Sequence, residues 1–214
     1  MIKIILILFL FLSCYLIYIF TEDKSLSYLV IGDKIADNPY IKNNELIKEY
    51  NNHYINENYR IIDLINIIRY NQEIEISIKK ISIHRLLKNN DIIIISIGMN
   101  DIYSKLNTNI KNIYTYINDM VNNMEMLLSE IDRYSYEKVL FLGYYNITNQ
   151  NEDIFTYLNY KMKKIINKYN YEYIELNDIL KKDSNLYQNS NNFNLNQEGY
   201  SKISEIIVEK LKKY

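Results

Sequence analysis

The chain opens with an uncharged run, Ile4 to Phe20 (IILILFLFLSCYLIYIF), unlike anything after it. As a helix, these residues rise about 26 Å, enough for a thin or locally compressed hydrocarbon core. Beyond them, short apolar runs alternate with longer periodic ones. Leu26 to Ile31 predicts a buried strand ending at Gly32-Asp33, and Ile35 to Asn44 a loop. A short helix over Glu45 to Tyr50 and a weak strand near His53 to Asn56 come next. Ile61, Ile62, Ile65 and Ile68 recur at helical spacing, as do Ile76, Ile83, Leu86 and Leu87, so two helices are expected there. Asp91 to Ile97 (DIIIISI) is almost continuously β-branched, as in a central parallel strand covered on both faces. It ends in Gly98-Met99-Asn100-Asp101. A helix from about Ile110 to Tyr134, a strand Lys138 to Gly143, a helix Asp153 to Asn167, a strand Tyr171 to Leu176 and a helix Gln197 to Lys213 complete the pattern. Strands alternating with long helices predict an α/β domain with a mostly parallel sheet and helices on both faces.

Lys3 precedes the leader and Glu22 and Asp23 follow it, so the positive-inside bias places Met1 in the cytoplasm and the domain outside. The expected organisation is a membrane anchor over 1–21 and one folded domain over 22–214, held at the cell membrane by a single span. A cleaved signal peptide is the rival, although no small-x-small site follows the apolar run. Cys14 after Leu12-Ser13 faintly resembles a lipoprotein signal, which would also leave the domain outside the cytoplasm. A buried core helix is the remaining alternative. Cys14 is the only cysteine, so the domain has no internal disulfide and no cysteine zinc site.

A net charge of -1 gives no footprint for a polyanion, and nucleic-acid binding is not expected. Metal and cofactor sites are not expected either: no His/Asp/Glu cluster has ligand spacing, and glycine-rich phosphate loops are missing. The chain holds 40 Ile, 31 Asn and 23 Tyr against one Ala, a compositional drift that lowers the information carried by any single Asn or Tyr.

Three polar clusters fall where ligands bind in open α/β sheets, past the carboxyl ends of strands. They are Gly32-Asp33-Lys34, Gly98-Met99-Asn100-Asp101 and the stretch from Asn191 to Tyr200 (NNFNLNQEGY). In this order they resemble the G-D-S-[LI], G-x-N-D and D-x-x-H-[LP]-N-x-x-G-[YH] blocks of the SGNH/GDSL hydrolase family. Phe141 to Thr148 (FLGYYNIT) and Asn58 to Ile65 (NYRIIDLI) are similar to segments of membrane-anchored low-GC bacterial members. The resemblance covers about residues 26 to 213 and implies a flavodoxin-like, three-layer α/β/α fold.

It also implies roles. In the family a first-block Ser attacks an ester carbonyl, a late His is its base, and an Asp three residues earlier orients that His. The oxyanion rests on the Ser N–H, a second-block Gly N–H and the third-block Asn side chain. Carried over, the nucleophile position is Lys34, the base position Asn194 and the orienting position Asn191. An amide has no useful proton affinity, so Asn194 cannot be a general base. The second-block Gly falls at Asn58, and only Asn100 survives among the substrate-facing groups. Lys34, Asn58 and Asn100 are the pocket candidates, and Gly32, Asp33, Gly98 and Asp101 the block residues expected to hold the loops.

No other residue replaces the missing groups. The two histidines, His53 and His84, lie outside the late block, with His84 expected as an ordinary helix residue. Ser25 and Ser27 come too early to occupy the first turn. Lys34 could hold a carboxylate, phosphate or sugar acid, or could pair with Asp33 or Asp101. Tyr144 and Tyr145 could stack on a glycan, but core or surface filling is the better reading of so tyrosine-rich a chain. The sequence therefore predicts a catalytically degenerate binding or interaction module at the cell envelope, its partner a glycan, an acylated ligand or a protein. The alternative is an active esterase or acyl hydrolase with a rearranged site.

Overall fold

The computed structural model describes residues 27–33, 51–55, 59–76, 79–106, 112–135, 138–146, 151–180, 186–189 and 192–213. The leader lies outside them. Among the described residues no helix is long and apolar enough to cross a membrane.

Five strands build one parallel sheet: β1 (Tyr28–Gly32), β2 (Asn51–Ile55), β5 (Ile92–Ser96), β6 (Lys138–Leu142) and β7 (Glu172–Ile174), in the order β2-β1-β5-β6-β7. Every residue of β1 and β5 is buried, so both faces of the sheet centre are covered. This is why their sequences read as unbroken apolar runs. The helices are α1 (Ile61–Arg69), α2 (Ile83–Asn89), α3 (Met99–Leu106), α4 (Ile113–Asp132), α5 (Glu152–Lys168), α6 (Leu176–Leu180) and α7 (Gln197–Leu211). α4 packs between α1 and α5, while α7 buries Tyr200, Ile203, Ile207 and Val208. The chain runs outward from β1 to β2 and then returns to β5 on the other side of β1. That reversal is a topological switch point at the carboxyl ends of β1 and β5, where crevices form in open α/β sheets.

One expectation needs correction. A helix was expected around Ile76, but residues 73–82 form an antiparallel hairpin of β3 (Glu73–Ile76) and β4 (Lys79–Ser82), and the helix starts only at Ile83. Glu-Ile-Glu-Ile is a period-two pattern, and merging its isoleucines with those of α2 produced a false helical spacing. The side chain of Ser82 accepts the Arg85 N–H at 3.3 Å and marks the true helix start. Past β5, Met99-Asn100-Asp101 form the first turn of α3, with the Ile102 N–H bonded to the Gly98 carbonyl at 3.2 Å. The late Asn-rich segment holds an antiparallel pair, β8 (Tyr187–Asn189) and β9 (Asn192–Leu195), followed by α7 capped by Asn196.

Asparagine also carries conformational information that its abundance hides. Asn71 (φ 47°) and Asn170 (φ 59°) occupy left-handed positions just past α1 and α5. At α1, Asn71 N–H bonds the Ile68 carbonyl and Gln72 N–H the Ile67 carbonyl, both at 3.0 Å. At α5, Asn170 N–H bonds Asn167 O and Tyr171 N–H bonds Ile166 O, the same pair of reverse bonds. These are Schellman ends with Asn where Gly is usual. With only 4 Gly in the chain, Asn is the next residue able to adopt that backbone at low cost. Asn170→Ala is expected to lower stability by about 1 kcal/mol and Asn170→Gly to leave it unchanged or higher, as read by chemical denaturation.

Candidate functional site

The crevice is built by the ends of β1 and β5. Gly32 has φ +142°, and a Cβ there would lie 1.6 Å from the Ser96 carbonyl oxygen, so the two strands approach more closely than any side chain permits. The next residue locks the approach. Asp33, 1% exposed, donates its N–H to the Ser96 carbonyl at 2.6 Å. Its carboxylate accepts the Ser96 hydroxyl at 3.0 Å and the Met99 N–H at 3.2 Å. Asp33 thus ties the first loop to the end of β5 and the start of α3.

Gly98 (φ +105°) makes the turn into α3, and a Cβ there would strike the Tyr144 hydroxyl at 2.6 Å and the Met120 methyl at 2.8 Å. Asn100 donates its side-chain amide to the Tyr59 carbonyl at 2.9 Å, and Asp101 accepts the Ile61 N–H at 3.1 Å. Residues 59–61, the entry to α1, are thereby fastened to the third block from two adjacent side chains. Asp101 satisfies one of the otherwise unpaired N–H groups at the start of α1. Its backbone carbonyl accepts the hydroxyls of Ser104 at 2.8 Å and Tyr116 at 3.1 Å.

Of the expected site residues, the structure brings Gly32, Asp33, Gly98, Asn100 and Asp101 to one end of the sheet. Lys34, Asn58 and Asn191 lie outside the described residues. Asn194 lies on β9, with its side chain outside them. His53 lies on β2, its side chain likewise outside. His84, expected as an exposed or snorkelling helix residue, is partly buried on α2: its Nε2 bonds the Ile68 carbonyl at 2.6 Å, and its ring stacks on Tyr134 at 3.6 Å between centroids. Ser27 lies at the opposite end of β1 from the crevice and donates its hydroxyl to Asp91 at 2.8 Å.

The loop after β6 supplies the wall next to Gly98. Tyr144 and Tyr145 are buried and belong to the core, with the Tyr144 hydroxyl donating to the Ile97 carbonyl at 3.0 Å. Burial, reinforced by Tyr173 and the carboxylates of Asp101 and Asp33, holds the Tyr144 phenol well above its ordinary pKa and keeps it a donor. Two buried asparagines that sequence reading passed over hold this loop. Asn159 on α5 accepts the Tyr144 N–H at 3.0 Å, returns its amide to the Tyr144 carbonyl at 2.9 Å and also accepts the Tyr173 hydroxyl. Asn177 on α6 accepts the Asn146 N–H at 2.8 Å. Nothing in the sequence separates these two from the other asparagines. Asn159→Ala leaves the Tyr144 backbone and the Tyr173 hydroxyl unpaired in the interior, and a loss of about 3 kcal/mol is expected in denaturant unfolding.

Asp101 is the titratable group of the site. Burial raises its carboxyl from the ordinary 3.8 to about 6, against the lowering effects of the Ile61 N–H and the Arg60 charge, with Asp63 adding to the rise. The folded chain therefore binds the extra proton between about 4 and about 6, and this group's contribution to stability falls as pH rises through that window. The fall is up to about 3 kcal/mol. Asp101→Asn keeps an acceptor for Ile61 and does not titrate, so denaturation midpoints across this range are expected to lose that slope.

The same architecture recurs in known structures. A protein described as a GDSL-like lipase from Parabacteroides merdae superposes with a TM-score of 0.62 at 13% identity, over 87% of this chain and 95% of that one. An acetylxylan esterase of Geobacillus stearothermophilus matches at 0.60 and 14%, over 86% and 93%. An α/β hydrolase from the metagenome of Lake Arreo, Spain, matches at 0.60 and 12%, over 86% and 94%. No protein-family model and no curated protein sequence matches the chain. At these identities the likeness establishes the fold, that of the SGNH/GDSL hydrolases.

Proposed function

We propose that this chain is a membrane-anchored, extracytoplasmic protein that has kept the SGNH/GDSL-hydrolase scaffold and lost ester hydrolysis, serving as a binding or interaction module at the cell envelope. The observation that carries this reading is a contrast between the block residues and the residue type beside them in the chain. Gly32, Asp33, Gly98, Asn100 and Asp101 are present and bonded as loop fasteners. The residue that follows Asp33 is Lys34, with no hydroxyl to deprotonate.

The base is missing as well. Past His84 the chain has no histidine, and His84 is engaged by Ile68 and Tyr134. In the Geobacillus esterase, a serine and a histidine variant are each described as catalytic mutants. Here the corresponding motif positions are Lys34 and Asn194, and the orienting position is Asn191. Loss of a triad nucleophile or base in a serine hydrolase costs about a million-fold in turnover. Binding requires none of these proton transfers. By the motif correspondence, a cation at the first-block position 34, with Asn100 in the third block and Asn58 at the second-block donor position, would suit a carboxylate, a phosphate or an acylated, acidic envelope glycan.

The test uses the full-length protein in detergent. Turnover of p-nitrophenyl acetate is expected to stay at the level of the Lys34→Ala variant, with no fluorophosphonate label retained. Turnover at rates typical of active members of the fold, or label on a defined serine, would establish the rearranged esterase instead.

A further inference from the structure

The opposite end of the sheet holds a feature that the crevice does not use. A cleft of about 540 Å³ opens at the amino ends of β1 and β5, lined by Ser27, Lys79, Lys80, Arg85, Asn89 and Asn90. Lys79 and Lys80 come from β4 and Arg85 from α2, and all three are exposed. Several cations elsewhere are matched with acids: Arg69 and Arg133 with Glu130, Lys138 and Lys210 with Glu172, Lys163 with Glu175, Lys168 with Glu125. Among the described residues, Lys79, Lys80 and Arg85 have no acid within ion-pair distance. The nearby acids do not neutralise them. Glu75 faces Lys80 in the strand register without an ion pair, and Asp91 accepts both the N–H and the hydroxyl of Ser27 at 2.8 Å. Lys88, over the Tyr134 ring, adds a fourth cation on α2.

The position of the cleft along the chain suggests its occupant. Ser27 lines it, and Ser27 lies only seven positions along the chain from Phe20, the last residue of the apolar leader. Fully extended, seven residues reach about 25 Å. If the leader spans the bilayer, the amino end of the sheet is held next to the headgroups. We infer that Lys79, Lys80 and Arg85 form a docking face for anionic phospholipid headgroups of the membrane that holds the leader. The inference rests on the anchor proposed above.

Docking there has a consequence for the crevice. Ser27 and Asp33 lie at opposite ends of β1, about 20 Å apart at strand rise. A domain resting on its basic end would turn Gly32, Asp33, Asn100 and Asp101 away from the lipid, toward the envelope.

The experiment places the full chain in phosphatidylcholine vesicles and in vesicles also containing phosphatidylglycerol, and follows flotation together with amide exchange over residues 79–90. Each cation near an anionic surface favours contact about fivefold. Exchange is expected to slow about tenfold or more on the anionic vesicles only, and to recover at 1 M salt, where the screening length is about 3 Å. Lys79→Gln, Lys80→Gln and Arg85→Gln together should abolish the slowing, while Lys163→Gln on α5 should not. Flotation with both vesicles and equal exchange on both would overturn the docking face and leave the anchor standing. Flotation with the anionic vesicles alone, lost in the triple variant, would support the docking face and remove the anchor. Equal slowing by inorganic phosphate without vesicles would overturn lipid docking in favour of a soluble phosphate site.

Discussion

The close approach of β1 and β5 at their carboxyl ends is the constraint on which the rest of this structure depends. A glycine with φ +142° brings the β1 backbone against Ser96, and the Asp33 carboxylate then spans the gap to the hydroxyl of Ser96 and the N–H of Met99. A larger residue at 32 would collide with a carbonyl oxygen that cannot move without breaking the parallel ladder. A neutral apolar residue at 33 would strand the N–H at the start of α3. The placement of α3 brings Asn100 and Asp101 to the entry of α1, and Gly98 to the hydroxyl of Tyr144. One strand pairing therefore sets the geometry of the whole crevice.

The same bonds separate scaffold from chemistry. A buried carboxylate fully engaged by loop donors stabilises the loops whether or not a nucleophile stands beside it. The block residues bonded here are the ones whose loss would disturb the fold. Under the function proposed here, Lys34, Asn191 and Asn194 stand at the positions whose loss removes proton transfer. Under that proposal, a protein relieved of hydrolysis but still required to fold would retain the first group and vary the second. The two ends of the sheet then serve different tasks under the proposals made here: the carboxyl end for the ligand, the amino end and its unpaired cations for the membrane.

Much of the architecture was legible because it follows from periodicity. Continuous β-branched runs mark strands covered on both faces, and Ile, Met and Leu at helical spacing mark α1, α4 and α7. The hairpin at 73–82 was misread because four residues of strict alternation adjoin a helix whose isoleucines fall in phase with them. The structural part of the site was legible because Gly-Asp and Gly-x-Asn-Asp stand at strand ends, where backbone strain and loop bonding demand those residue types. Asn159, Asn177 and the helix-ending asparagines were not, since a residue repeated 31 times has no contrast against its background.

What the amino-acid order determined alone is the alternation of strands and helices, the apolar leader and the chemical poverty of the motif positions, because each depends on residues close together in the chain. Only the tertiary structure decided that Asp33 is consumed by Ser96 and Met99, that His84 is held by Ile68 and Tyr134, that Tyr144 is core, and that Lys79, Lys80 and Arg85 share a cleft with Ser27. Those outcomes depend on partners up to 66 residues away. Which donor finds which acceptor across such separations is settled by the folded packing, not by local propensity.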